Sequence, residues 1–262
     1  MDKPNLLADF FRQTLAISQV EFRKLFRDPT EIFSRAVQPI LWLVVFGQVF
    51  SRVRGITNGD LRYEDFMTPG ILAQSVLFSA IFYGISVIWE RDMGVVHKLL
   101  VSPAYRGALV LGKAVSAGFR GVVQAILIYI LALIMGIGVR WDVPSIFGVF
   151  CAVVLGSAIF STFSLVIACI VKTRERFMGI GQVLTMPLFF ASSAIYPLSL
   201  MPAWLRAVAT VNPLTYLVDL LREMMLIQGT GLHSLPVDFG VLAFVFLVLI
   251  VIASRLYPTL VR

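Results

Sequence analysis

Three stretches of this chain, 67–89, 143–171 and 177–205, contain no charged residue. A bilayer core of ~30 Å takes about 20 apolar residues of helix, so each stretch is long enough to cross it. Weaker candidates are 36–51, which keeps Gln38 and Gln48, then 107–139, which carries Lys113 and Arg120, and finally 239–254. Together they predict an all-α, polytopic membrane protein with six transmembrane helices. The composition agrees. Only 14% of residues are charged and 58% are hydrophobic, against roughly 25% charged in soluble domains.

The opening residues MDKPNLLADFFRQ do not read as a signal peptide, because acids interrupt them before any apolar core of about 7–15 residues forms. The net charge of +7 raises the question of a polyanionic partner, and its placement answers it. With the N-terminus inside, Lys and Arg number 14 on the cytoplasmic side and 6 outside; Arg35 and Arg120 fall within spans. That bias is the positive-inside signature, so both termini of a multi-pass membrane protein are expected in the cytoplasm, with no nucleic acid required. Cys151 and Cys169 both fall in the fourth span, roughly 27 Å apart along a helix, beyond disulfide reach.

Residues 6–26 place Leu7, Phe10, Phe11, Leu15, Phe22 and Leu25 at three- and four-residue steps, with Arg12, Gln13, Gln19, Arg23 and Lys24 elsewhere. This is an amphipathic helix suited to lying in the interface. Asp28-Pro29-Thr30-Glu31 has the form of a new helix start, which divides the chain into an interfacial helix, 1–28, and a six-helix transmembrane domain, 29–262. Thr68-Pro69-Gly70 is expected to open span two. The stretch 196–228 is largely apolar but broken by Pro197, Pro202 and Pro213, with Asn212-Pro213 as a helix start and Gly229 as a stop. It predicts short external re-entrant helices, with Asn212, Pro213, Tyr216, Asp219 and Glu223 as candidates for an external gate. Asp219 and Glu223 lie four apart beside Arg222, a spacing that favours a solvated or ion-paired polar face over acid–base work.

Chemistry is sparse. No phosphate-binding loop, Cys-x-x-Cys, His-Glu-x-x-His or G-x-S-x-G element occurs. His97 and His233 fall on opposite sides of the membrane, so no His-based metal cluster and no metal site is expected. No predicted span contains an acid, which disfavours proton- or sodium-coupled transport. Hydrogen-bonding groups within the hydrocarbon, Gln74, Tyr83, Gln124, Tyr129 and Gln182, are candidates for a substrate pathway. The alternative is interhelical packing bonds of ~0.6 kcal/mol each.

Between spans two and three the chain writes WERDMGVVHKLLVSPAYRG, residues 89–107. Met93, Val96, Leu99 and Leu100 can form one apolar stripe of a short helix, with Arg91, Asp92, His97 and Lys98 projecting elsewhere and Ser102-Pro103 ending it. Such a helix suits docking into a soluble subunit; a loop tucked against headgroups is the alternative.

The residues Glu90-Arg-Asp-x-Gly94, Lys98-Leu-Leu-x-Ser102-Pro103 and Leu111-Gly112-Lys113 resemble the signature of type-2 ATP-binding-cassette (ABC) exporter permeases, those of the daunorubicin-resistance type above all. Phe66-Met-Thr-Pro-Gly70 and Asn212-Pro-Leu-Thr-Tyr216 are similar to that family's other landmarks. The resemblance implies a non-catalytic permease subunit of an ATP-driven exporter, paired with itself or a related permease and with two cytoplasmic ATPase subunits. ATP and Mg would be used by those partners and no cofactor by this chain. Residues 90–103 would be the coupling helix, with Glu90, Arg91, Asp92, Val96, His97, Lys98, Leu99, Leu100 and Pro103 meeting the ATPase. The family more often has Glu-Arg-Glu-x-Gly-Thr here; Asp92 keeps the charge, while Val95 lacks the hydroxyl. Cargo would be amphipathic, lipid-like or drug-like, including a lipid-linked glycan. Two other classes compete: a lipid-modifying membrane enzyme, which needs His, Asp or Glu clustered at one interface, and a channel or structural protein, which needs no docking helix.

Overall fold

The computed structural model describes residues 6–27, 37–50, 62–102 and 104–261. The expected helix start at Asp28–Glu31 and Pro103 lie outside them. Helix α1 (Leu6–Arg27) is followed by α2 (Val37–Phe50), then α3 (Tyr63–Asp92), the short α4 (Val95–Val101) and α5 (Arg106–Met135). After these come α6 (Val143–Ile170), α7 (Arg174–Phe190), α8 (Ala203–Val211), α9 (Pro213–Met225) and α10 (Leu235–Leu256), which runs on into a tighter turn at Tyr257–Val261. No strand forms among the described residues; one isolated bridge joins Val139 and Leu226. Among the described residues four helices, α3, α5, α6 and α10 with its extension, are long and apolar enough to cross a membrane. Among the described residues one shorter helix is apolar, α2; α7 has 17 residues and opens on Arg174-Glu175-Arg176.

Helix α6 is the axis of the bundle. It packs against α3, α5, α9 and α10, and α7 lies chiefly on α3. Small residues allow the close approach, as a Cβ at Gly121 would collide with Ser157 Oγ. In lipid, where apolar burial gives no advantage over acyl chains, such backbone proximity is a main source of helix association. Residues that find no helix partner face outward and stay apolar, as with Ile130, Leu133 and Ile134 on α5 and Phe244, Leu247 and Val251 on α10.

Several boundaries differ from expectation. Helix α3 begins at Tyr63, so Thr68-Pro69-Gly70 lies inside it. Thr68 Oγ1 donates to Glu64 O at 2.7 Å, and a Cβ at Gly70 would overlap Ala194 O. The motif marks a helix–loop contact, not a helix start. Helix α9 stops at Met225, four residues before Gly229. Helix α10 starts at Leu235, earlier than the apolar run, and takes Asp238 into its first turn.

Helix α1 is amphipathic, but three-sided. Its contact face on α5 consists of Phe10, Thr14, Ile17, Ser18 and Glu21. Ser18 Oγ donates to Gly112 O at 3.1 Å. Leu7, Phe11, Leu15 and Val20 are exposed, which is the face an interfacial helix offers to acyl chains.

Candidate functional site

At the α4 end of the bundle, four charged side chains from three segments meet. Lys113 Nζ of α5 lies 2.6 Å from Glu90 Oε2 of α3 and 3.6 Å from Glu21 Oε1 of α1. Lys24 Nζ lies 2.7 Å from Glu90 Oε1 and 2.9 Å from Glu21 Oε1. Glu21, Glu90 and Lys113 are buried, while Lys24 is half exposed. Two acids and two lysines leave the cluster neutral, the arrangement that makes buried charge tolerable. Burial by itself would raise the Glu21 carboxyl, but Lys113, a Tyr83 hydrogen bond and Lys24 outweigh it and lower it to about 2. Ser116 Oγ donates to the Tyr83 hydroxyl at 3.3 Å, and the Arg120 guanidinium lies 4.3 Å from the Tyr83 ring centre.

The next residues fasten α3 to the turn between α6 and α7. Arg91 donates to Lys172 O at 2.7 Å and Val171 O at 3.4 Å. Arg174 pairs with Asp92 at 2.9 Å and its guanidinium stacks 3.5 Å from the Trp89 ring centre. Glu90, Arg91 and Asp92 are therefore engaged within this chain. Glu90 is buried, Arg91 is half-buried and Asp92 remains exposed.

Gly94, at φ 72°, breaks the chain between α3 and α4. That left-handed conformation suits glycine, which has no Cβ to clash. The expected single helix over 90–103 is thus two pieces, and its apolar stripe is divided. Val96 is fully buried in this chain's own core, with Leu99 and Leu100 packed on the same cluster alongside Val87, Leu109 and Tyr257. Facing out instead are Met93, Val95, His97, Lys98 and Val101, the last 85% exposed. A seven-residue helix lying on a bundle must turn one stripe to its own protein. Of these outward residues, Val95, Lys98 and Val101 follow one another at three-residue steps along α4, with Met93 and His97 beside them.

The candidate pathway residues do not converge. Gln74 is buried on α3 beside a cavity of about 350 Å³ lined also by Gln38, Ser75, Phe78 and Ser79. Next to α2 a wider apolar groove of about 590 Å³ is lined by Trp42, Phe46, Phe50, Tyr63, Phe190 and Tyr196. Tyr83 belongs to the charge cluster at the α4 end. Gln124 and Tyr129 are buried on α5, Tyr129 lying edge-on to Trp141 with centroids 5.5 Å apart. Gln182 is exposed on α7.

At the opposite end, 196–228 is bound down rather than free. Asn212 caps α9 by accepting from Leu214 N, and its amide donates to Leu188 O and Ala191 O at 2.7 Å each. Pro213 occupies the first turn of α9. Tyr216 donates to Thr210 O at 2.7 Å, and its ring stacks on His233. Arg222 donates to Ser193 O at 2.7 Å and lies 4.1 Å from the Phe66 ring centre. Asp219 and Arg222 are buried and Glu223 is half buried, so this is not a solvated polar face. Asp238 is likewise buried. Helices α3 and α10 begin before their uncharged runs, so acids enter their first turns, Glu64 and Asp65 in α3 and Asp238 in α10.

Sequence reasoning missed Glu21, Lys24, His233 and Asp238. Glu21 had one legible signal: it falls three residues after Ser18 and seven after Thr14, a polar stripe within an otherwise amphipathic helix.

A family described as the ABC-2 type transporter matches residues 12–226. The "Putative transport permease ycf38" of Cyanophora paradoxa is 29% identical over 81% of this chain and 74% of its own length. The "Inner membrane transport permease YadH" of Escherichia coli K12 is 26% identical over 81% of this chain and 82% of its own. The "Daunorubicin resistance ABC transporter permease protein DrrB1" of Streptomyces coeruleorubidus is 22% identical over 78% of this chain and 70% of its own.

Proposed function

The chain belongs to the ABC-2 type transporter family and is a multi-pass membrane transport permease; from that premise we propose that it is the membrane subunit of an ATP-driven exporter, energised by a separate ATPase. The observation that carries this reading is the mount at the end of α3. Buried ion pairs join Glu90 to α1 and α5, while Arg91 and Asp92 hold the α6–α7 turn. Force applied to α4 would reach four helices at once. A loop that merely rests on headgroups has no need of such fastening.

In this reading α2 and α7 complete six spans with α3, α5, α6 and α10, both termini lie in the cytoplasm, and the membrane is a bacterial inner membrane. Two ATPase subunits bind ATP and Mg and dock on the Val95, Lys98 and Val101 face of two paired permeases, identical or related. Helices α8 and α9 are external, re-entering the outer leaflet as a lip over the exit. Cargo passes along the grooves beside α2, where Gln38, Gln74 and Ser75 supply polar contacts and aromatic side chains line the rest. That mixture fits an amphipathic, lipid-like or drug-like molecule, a lipid-linked glycan among them, and the name of DrrB1 points to a drug for that relative.

The test is ATP-driven uptake of a fluorescent amphiphile into inverted vesicles holding the permease and an ABC ATPase. Gln74→Ala should alter the ranking of cargoes more than the amount of protein. Unchanged ranking with loss of folded protein would make Gln74 a packing residue.

A further inference from the structure

Three side chains that the transport reading leaves unused converge at the end of the bundle opposite α4. Asp219 of α9, His233 of the following turn and Asp238 of α10 place one ligand atom each within 4.8 Å of one another. Both aspartates are fully buried. Asp219 is held by two backbone amides: Leu232 N–H at 2.8 and 2.7 Å from its two oxygens, and His233 N–H at 2.9 Å. Asp238 differs. Neither of its oxygens receives a hydrogen bond among the described residues, although both are sealed from solvent. An ionised carboxylate in that position is costly unless a cation compensates it or it takes up a proton.

The geometry indicates which kind of cation. His233 Nδ1 lies 3.4 Å from Asp219 Oδ2 and 3.5 Å from Asp238 Oδ1. These separations exceed the ~2.7–3.2 Å of an N–H···O bond. They match the ~3.3 Å edge of a tetrahedron whose metal–ligand bonds are about 2.0–2.1 Å. We propose that Asp219, His233 and Asp238 form a divalent-metal site of the zinc class. One nitrogen and two carboxylate oxygens without sulfur suit zinc better than a soft metal. The amides on Asp219 and the Tyr216 ring, stacked 5.3 Å from the imidazole, supply the outer support that orients such ligands. His233 is one-third exposed, so the group can be reached from outside the bundle. Glu223, whose Oε2 is buried without a donor among the described residues, adds negative charge nearby. The sequence expectation of no metal site counted histidines, and this set needs only one. An ion here would tie α9 to the start of α10 and set how far the 196–228 segment moves against the last helix.

The full-length permease in detergent, stripped with a chelator and dialysed, is to be titrated with Co²⁺ and then Zn²⁺. The expected result is uptake of one Co²⁺ per chain with the ligand-field absorption of a tetrahedral site, displacement by Zn²⁺, and a rise in unfolding temperature. Asp238→Asn, nearly isosteric, and His233→Gln, at a partly exposed position, should each abolish the uptake. Because the two substitutions differ in burial, misfolding of the first leaves the second to decide. No saturable uptake by the wild type, or undiminished uptake by His233→Gln, overturns the site. So does a zinc-insensitive wild type that Asp238→Asn stabilises, since the carboxylates would then be sharing a proton.

Discussion

Glu90 and Lys113 lie 23 residues apart in the chain and 2.6 Å apart in space, both shielded from solvent. Removing one member of a buried pair strands the other, at a cost of about 3–5 kcal/mol. Lys113→Met should therefore lower the unfolding temperature in detergent sharply, and Glu90→Met in the same chain should recover most of the loss. An additive double variant would show that the two do not interact. Glu21 adds a pH dependence with a definite sign. Its folded value of about 2 lies below the ordinary 4.5, so its contribution is complete above about pH 4.5 and is lost as the pH falls toward 2. Glu21→Gln should flatten that acid limb of a stability-against-pH curve. Lys113 was legible as a charge in a span, but its partners were not. They come from α1 and α3, and no local periodicity links residues 21, 90 and 113. The same separation hid Asp219, His233 and Asp238, which no spacing along one helix brings together.

Helix α4 shows how an element can be right in kind and turned about its axis. An amphipathic piece between two spans was readable from the Val-Val and Leu-Leu pairs, and so was its end at Ser102. Which stripe it keeps for itself depends on the core it rests on, formed by Val87, Leu109, Val171 and Tyr257 from far along the chain. The consequence is a separation of phenotypes. Changing Val95 and Val101 to Ser with Lys98→Glu should abolish ATPase binding in a pull-down while membrane insertion and melting temperature stay near wild type. Val96→Ser should do the reverse, loosening the fold by about 1–3 kcal/mol through an unpaired buried hydroxyl while leaving the outward face intact. If Val96→Ser alone abolished binding at full stability, Val96 would have to face the ATPase and α4 would be turned the other way. Helix α1 carries the same lesson: its outward Leu and Phe are visible in the sequence as a stripe, while its contact face of Thr14, Ser18 and Glu21 looks like ordinary polar surface.

At the scale of the whole molecule, uncharged length made α3 and α6 plain, α10 was a weaker candidate, and α5 emerged despite Lys113 and Arg120 because both charges are buried in it. Helix α7 ends at Phe190, short of the uncharged run that predicted it, since residues 191–200 turn back to receive Asn212 and Arg222. Length without charge therefore overstates a span wherever a loop is packed on protein. The proposed topology places Ser199 and Thr230 outside and Val101 inside. Single cysteines at the first two positions should react with an impermeant maleimide in intact cells, and one at Val101 only after permeabilisation. The enzyme alternative required acids and histidine gathered at one interface; the Asp219–His233–Asp238 group meets that condition in space, yet the chain's family is one of transport permeases. The most direct test of the central claim, that α4 couples an ATPase to the spans, is ATP hydrolysis by the cognate ABC ATPase in liposomes with and without this permease. Hydrolysis should rise with the wild-type permease and with cargo, and should lose both responses when Val95, Lys98 and Val101 are changed together in a permease that still folds. Hydrolysis that responds equally to the wild type and to that variant would contradict the coupling role of α4.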